Sequence, residues 1–286
     1  MFQSVLSFLG HGKEDYIFPT VDPAQDGPDC KKDCADCTVH YPARFSVETT
    51  RKLYGNVKPF ATHVLVATGK SDWKEKVERE RGSLMEALHD VPVKAREGRL
   101  MVSASNLTPP EGSEERNETS VLLLPSFTFV DHVTTNDIPE LVSRFIEGEE
   151  PKEPNPSSRL TSRPCVHDYV VLLCSHKRRD ARCGISAPLI KKELERHLRP
   201  TGLYRDADDE RPGGVGIYFV SHVGGHKFAA NVLIYRKKDE QLIWLARVRP
   251  EHCEGIVKYT ILQGKVVHPE FQLRGGFDRS KGLTSW

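Results

Sequence analysis

Two apolar runs limit what this chain can become: Tyr169-Val-Val-Leu-Leu173 and Val215-Gly-Ile-Tyr-Phe-Val220. Each reads as a buried strand. The first runs straight into Cys174-Ser-His-Lys-Arg-Arg-Asp-Ala-Arg-Cys183, the second into Ser221-His222-Val-Gly-Gly-His226. Two thiols and two imidazoles are thus delivered by two loops at strand ends. That is the supply a soft metal ion or an iron–sulfur cluster needs. Gly224 and Gly225 argue against a helical spacing of the histidines. They let the backbone turn tightly, so that both rings can face one centre.

With 286 residues the length favours two domains. A net charge of +1 gives no field that argues for nucleic acid or an anionic membrane. No apolar run has the roughly 18–20 residues of a membrane span. Met1–Gly10 carries no Lys or Arg, which does not fit a secretory or mitochondrial leader, and is expected to pack as a short tail.

The element pattern is read as β-α-β-β-α, twice. The first round has a strand over 62–68 and a helix capped at Ser71 or Asp72 that runs to about His89. Strands follow over 99–105 and 121–130, with Pro125 demoting the middle of the latter or marking an edge, and then a helix over 138–146. The stretch 148–163 is a linker. Its core, Glu149–Ser158, has three prolines and no large apolar side chain, so it should be extended. The second round has the strand 169–173, a helix over 187–198 with Pro188 in its first turn, and the strand 215–220. A hairpin (230–235 and 241–248) and a final helix over 251–262 complete it. This order is the reduced form of the thioredoxin fold. The expectation is an α/β protein with two thioredoxin-like domains: 58–147 without a cofactor, and 164–286 with the ligands. An irregular segment, 1–57, precedes them.

In a thioredoxin-like domain the loops after the two parallel strands lie side by side, so Cys174/Cys183 and His222/His226 can meet. By ligand softness zinc and a [2Fe–2S] cluster suit this set equally. The eight residues between the cysteines are long for zinc, whereas a wider binuclear cluster tolerates such a loop. Two ferric ions, two sulfides and two thiolates carry no net charge, so this centre accepts an electron more easily than a four-cysteine cluster. Imidazole can exchange a proton with the electron, which predicts pH-dependent redox behaviour. Lys177, Arg178, Arg179 and Arg182 stabilise the reduced state, dock an acidic partner, or simply form a solvated basic loop. A second cluster, Cys30, Cys34, Cys37 and His40, could close a tetrahedral zinc site, but its spacing is not that of a standard finger and the second half of such a pattern is missing, so a solvated turn with incidental thiols is the favoured reading.

These motifs, with Gly202-Leu-Tyr-Arg-Asp206, His226-Lys-Phe-Ala-Ala-Asn-Val232 and Leu242-Ile-Trp-Leu-Ala-Arg-Val248, resemble the fungal sucrase/ferredoxin-like family, densely over residues 165–250. The resemblance implies a thioredoxin-like ferredoxin whose [2Fe–2S] cluster is held by Cys174, Cys183, His222 and His226. It implies an electron carrier rather than an enzyme, served by a redox reductase or acceptor protein. No placed pair of carboxylates supports a sucrase: Asp206, Asp208, Asp209 and Glu210 read as an acidic loop. Leu283-Thr-Ser-Trp286 resembles the aromatic C-terminal signal of cytosolic Fe–S clients of the late assembly machinery, or is a tail that packs its Trp. This tail and the absence of a basic presequence favour cytosol over mitochondrion.

Two rival readings remain open on the residues alone: a thiol–disulfide oxidoreductase using Cys174 and Cys183, and a zinc-stabilised binding module. His176 reads as supporting the ligands or as exposed, and Lys227 and Asn231 could hydrogen-bond sulfides or ring nitrogens. Cys165, Cys253, His63, His132, His167, His197 and His252 read as ordinary core or surface residues.

Overall fold

The computed structural model describes residues 16–89, 91, 99–149, 157–207 and 209–286. The expected packed tail at Met1–Gly10, most of the linker core and Asp208 lie outside the described residues.

An extended segment carrying one short helix, α1 (Pro23–Asp26), precedes the strands β1 (Phe60–Ala67) and β2 (Arg99–Ser105), which pair in parallel. The hairpin β3 (Thr119–Leu124) and β4 (Thr128–Val133) continues the sheet, β3 running antiparallel to β1. Pro125 therefore sits in a turn rather than in a strand. The helix expected up to His89 is shorter, α2 (Leu84–His89), preceded by a single 3-10 turn. The physical reason is that Asp72 is engaged elsewhere: its carboxylate accepts the backbone N–H of Arg178 at 3.1 Å. A short α3 (Ser113–Arg116) lies in the polar loop, and α4 (Ile138–Glu140) widens into a π-helical stretch, Leu141–Glu147.

After β5 (Thr161–Pro164), an edge strand on β4, the second half repeats the order. Strand β6 (Tyr169–Cys174) leads into α5 (Ala181–Leu198). Beyond the short β7 (Tyr204–Arg205) comes β8 (Val215–Val220), parallel to β6. The hairpin β9 (Val232–Arg236) and β10 (Gln241–Leu245) follows. Next come α6 (Cys253–Gly255) with its π-helical continuation Ile256–Ile261, α7 (Pro269–Gln272), β11 (Leu273–Asp278) and β12 (Leu283–Thr284). Helix α5 begins earlier than the sequence suggests. Asp180 caps it by accepting the N–H of Arg182, so Pro188 lies in the helix interior and Cys183 in the first turn.

Strand order is β2-β1-β3-β4 in the first half and β8-β6-β9-β10 in the second, and the two join through β2 and β8 into one mixed sheet. The seam is short. Ser105 opposite Val220 is its single ladder pair, and Asn106 Oδ1, Ser105 Oγ and Ser221 Oγ supplement the backbone bonds. The sheet folds back on itself. Strand β9 stands four positions from β1, about 19 Å along a flat sheet at ~4.8 Å per strand. Yet the His63 Nδ1 of β1 lies 3.0 Å from the Tyr235 hydroxyl of β9. Phe60, Leu65 and Leu122 of the first half and Val170, Leu172 and Trp244 of the second thus share one core. Each half packs its other face on its own helices.

His63 is wholly buried, with Ser103 Oγ 3.0 Å from its Nε2. Burial pushes its pKa down from 6.5 to about 3. The unfolded chain therefore binds this proton first as pH falls. His63's contribution is intact above pH ~7 and declines below ~6.5, by up to roughly 1.4 kcal/mol per pH unit. Urea titrations between pH 7 and 5 should show this slope, and His63→Gln should flatten it.

Candidate metal centre

Cys174 ends β6, where its backbone N–H donates to the Asn231 carbonyl. Six residues later Asp180 starts α5, which brings Cys183 back beside it. Both cysteines are 1% exposed. Cys183 lies against Cys174; that pairing, reinforced by His222 against the cost of burial, holds Cys174 well below the ordinary thiol pKa. The same pairing, with burial, raises Cys183. The first turn of a helix is a site that favours a thiolate.

The histidines arrive from the end of β8. Gly224 and Gly225 take φ of 91° and 71°, the left-handed region open to glycine. A Cβ on Gly225 would stand 2.8 Å from the Arg274 guanidinium. The turn brings the His222 and His226 ring centroids to 5.0 Å. Both Nδ1 atoms are buried and meet no hydrogen-bond partner. His226 is the more open; its Nε2 stands 3.9 Å from Asp180 Oδ2, and its side chain is 41% exposed. Burial and then His222 lower its pKa, with Asp180 opposing. The thiols thus lie deep and the imidazoles at the rim. The four side chains singled out in the sequence follow one another as Cys183–Cys174–His222–His226, each beside the next, and their ligand atoms do not converge within 4.8 Å as those of Cys34, His197 and Glu254 do.

Other expectations resolve differently. His176 is buried. Its Nε2 donates to the Trp73 and Lys74 carbonyls and its Nδ1 accepts the His222 N–H at 3.2 Å, so it fixes the histidine loop against the first half. Arg182 is clamped by Asp180, while Arg178 and Arg179 bind Asp72 and the Glu75 carbonyl. These three cations hold loops together instead of forming a free basic patch. Asn231 binds the Gly225 carbonyl rather than a ring nitrogen, and Lys227 lies over the Phe228 ring. Trp286 stacks on Phe60 at 5.3 Å and meets Phe277 edge-on, the packed-tail alternative.

Sequence reasoning missed Arg274. It is buried on β11, donates to the Gly224 carbonyl and to Asn231 Oδ1, and lies over Trp244. Burial lowers its pKa to about 10, with Cys174 opposing, so it stays cationic at neutral pH. Asp180 was the one signal available, as an N-cap three residues before Cys183.

The expected set Cys30, Cys34, Cys37 and His40 is split. Cys30 packs with Val21, Tyr259 and Val267, and His40 is exposed.

Among the described residues, no helix is long and apolar enough to cross a membrane. The chain is similar to actin patches distal protein 1 of Saccharomyces cerevisiae, with 41% identity over 151 residues, 50% of this chain and 46% of that protein. It is also similar to altered inheritance of mitochondria protein 32 of Clavispora lusitaniae, with 44% identity over 102 residues, 36% of this chain and 33% of that protein. The matched stretches thus span less than half the length of either relative. No solved structure matches. The sucrase/ferredoxin-like profile matches residues 53–275, which runs from before β1 into β11 and takes in all four clustered side chains. The chain belongs to the sucrase/ferredoxin-like family.

Proposed function

We propose that this chain is an electron carrier, a thioredoxin-like ferredoxin with one [2Fe–2S] cluster on Cys174, Cys183, His222 and His226. The observation that carries the reading is the pair of touching, buried thiols beside two imidazoles with orphaned Nδ1 atoms. The thioredoxin-like assignment rests on the strand order β8-β6-β9-β10, with α5 between the parallel pair. The first half has the same order but no cysteine between residues 58 and 147, so we assign it no cofactor.

When bound, the cluster supplies reversible one-electron transfer. The chain's own residues do the rest. Buried Cys174 and Cys183 keep water from the sulfur side. Arg274 places a positive charge behind Cys174. His176, Asn231 and Arg274 hold the histidine loop by its backbone. The exposed edge of His226 is the point of approach for a reductase or acceptor protein, and Asp180 beside its Nε2 can hold a proton there.

Protein purified without oxygen should be red-brown, with about two irons and two sulfides per chain. Paramagnetic resonance of the reduced protein should change when either histidine is replaced. Colourless protein holding zinc at these four residues would overturn the reading. A dithiol role has one observation in its favour, Cys183 in the first turn of α5 against Cys174. Sustained turnover of a disulfide substrate by metal-free protein would establish it instead.

A further inference from the structure

The segment from Tyr16 to Pro59 has almost no regular structure of its own. Its one helix, α1, buries no residue. Phe18, Val21 and Leu53 anchor its ends in apolar clusters, and the stretch between Cys34 and His40 has no buried apolar side chain besides Cys34 to fix it. Its Cys34-Ala-Asp-Cys37 has the two-residue spacing of a zinc knuckle. The other half of that pattern is absent nearby in sequence, and the fold supplies it from far away. Cys34 is buried between the end of α5 and the start of α6. Its Sγ lies 3.9 Å from His197 Nε2. The ligand atoms of Cys34, His197 and Glu254 all lie within 4.8 Å of one another. Cys37 follows three residues on, at the edge of this group, with its Sγ 3.7 Å from Glu193 Oε2.

We propose that Cys34, Cys37, His197 and Glu254 form a second metal site, for zinc, which staples the amino-terminal segment onto α5 and α6. Two thiolates, an imidazole and a carboxylate are a closed donor set for this ion and need no redox chemistry. Around zinc, ligand atoms stand about 3.3–3.8 Å apart, since the bonds are ~2.0–2.3 Å, so Cys34, His197 and Glu254 need only small shifts, while Cys37 turns from Glu193 to close the site. On binding, two S–H bonds break, two Zn–S bonds form, and two protons leave to water.

Arg196 fits this reading. Its guanidinium lies 3.3 Å from Cys34 Sγ and 3.0 Å from His197 Nε2. A guanidinium can only donate, so Nε2 is the unprotonated ring nitrogen, and metal binding would draw its lone pair from Arg196 to the ion. Two thiolates and a carboxylate around a divalent ion leave one negative charge. Arg196 balances it, anchored by the bond from its Nε to Glu193 at 2.8 Å.

The test uses the full chain, as wild type and with Cys174→Ser and Cys183→Ser, so that zinc cannot occupy the cluster ligands. Both proteins should hold about one zinc per chain. The zinc absorption edge should report two sulfur and two nitrogen or oxygen neighbours. Zinc content should fall by about tenfold or more in Cys34→Ser/Cys37→Ser and in His197→Ala. It should persist in Arg196→Gln. Stripping wild-type protein with a chelator should expose residues 30–50 to protease. Wild-type protein with no zinc overturns the proposal whether or not the variants fold. So does a Cys34–Cys37 disulfide in the intact mass, or zinc undiminished by His197→Ala.

Discussion

Replacing His222 and His226 together by cysteine is expected to leave a coloured, reducible centre with a midpoint potential on the order of 200 mV lower. The loss follows from charge. Two neutral imidazoles become two thiolates, and each added negative charge opposes an incoming electron. The pH dependence should flatten as well, because the groups that exchange protons with the electron are gone. The geometry favours retention of a centre: Gly224 and Gly225 let the loop adjust, and Cys174 and Cys183 stay buried in place. Spectroelectrochemical titration between about pH 6 and 9 checks both parts. An unchanged potential would remove the histidines from the ligand set.

Arg274→Ala should cost about 3 kcal/mol of stability and most of the bound iron. The guanidinium is buried, holds the Gly224 carbonyl and Asn231 Oδ1, and covers Trp244. Truncation leaves both oxygens without this donor and opens a void against the indole. It also removes a positive charge that interacts with Cys174. Arg274→Lys keeps the charge but not the fork, so it should fall between wild type and Ala. Urea unfolding and iron per chain are the two measurements, and stability within about 0.5 kcal/mol of wild type would contradict the assignment.

The strands β6 and β8 and the side chains at their ends were legible because an apolar run followed by thiols or imidazoles admits few alternatives. The start of α5 was not. Pro188 resembles a first-turn proline, and the real cap, Asp180, lies inside a loop dominated by cations. The helix expected from Ser71 or Asp72 failed because a side chain that could cap locally is taken by Arg178, over a hundred residues away. Strand β11 was invisible for a related reason. The sequence pattern assigns no element to residues 273–278; a Cβ on Gly276 would collide with the Leu242 carbonyl, so glycine is what lets this strand pack. Arg274 shares that strand and was hidden with it. His197 had no partner by spacing because its partner, Cys34, is 163 residues distant. Local pattern carries the strands and the thiols and imidazoles at their ends. Contacts between distant segments carry the supports around them.

The folded-back sheet has a practical corollary for anyone dividing the molecule. Cutting near residue 155 would break the single ladder pair between β2 and β8 and would strip β5 from β4, which four pairs join. It would also bare a broad oily face, Val170, Leu172 and Trp244 on one fragment and Phe60, Leu65 and Leu122 on the other. Fragments of this kind are complements: each is the solubilising cover of its counterpart, and co-expression rather than separate production is the route to them.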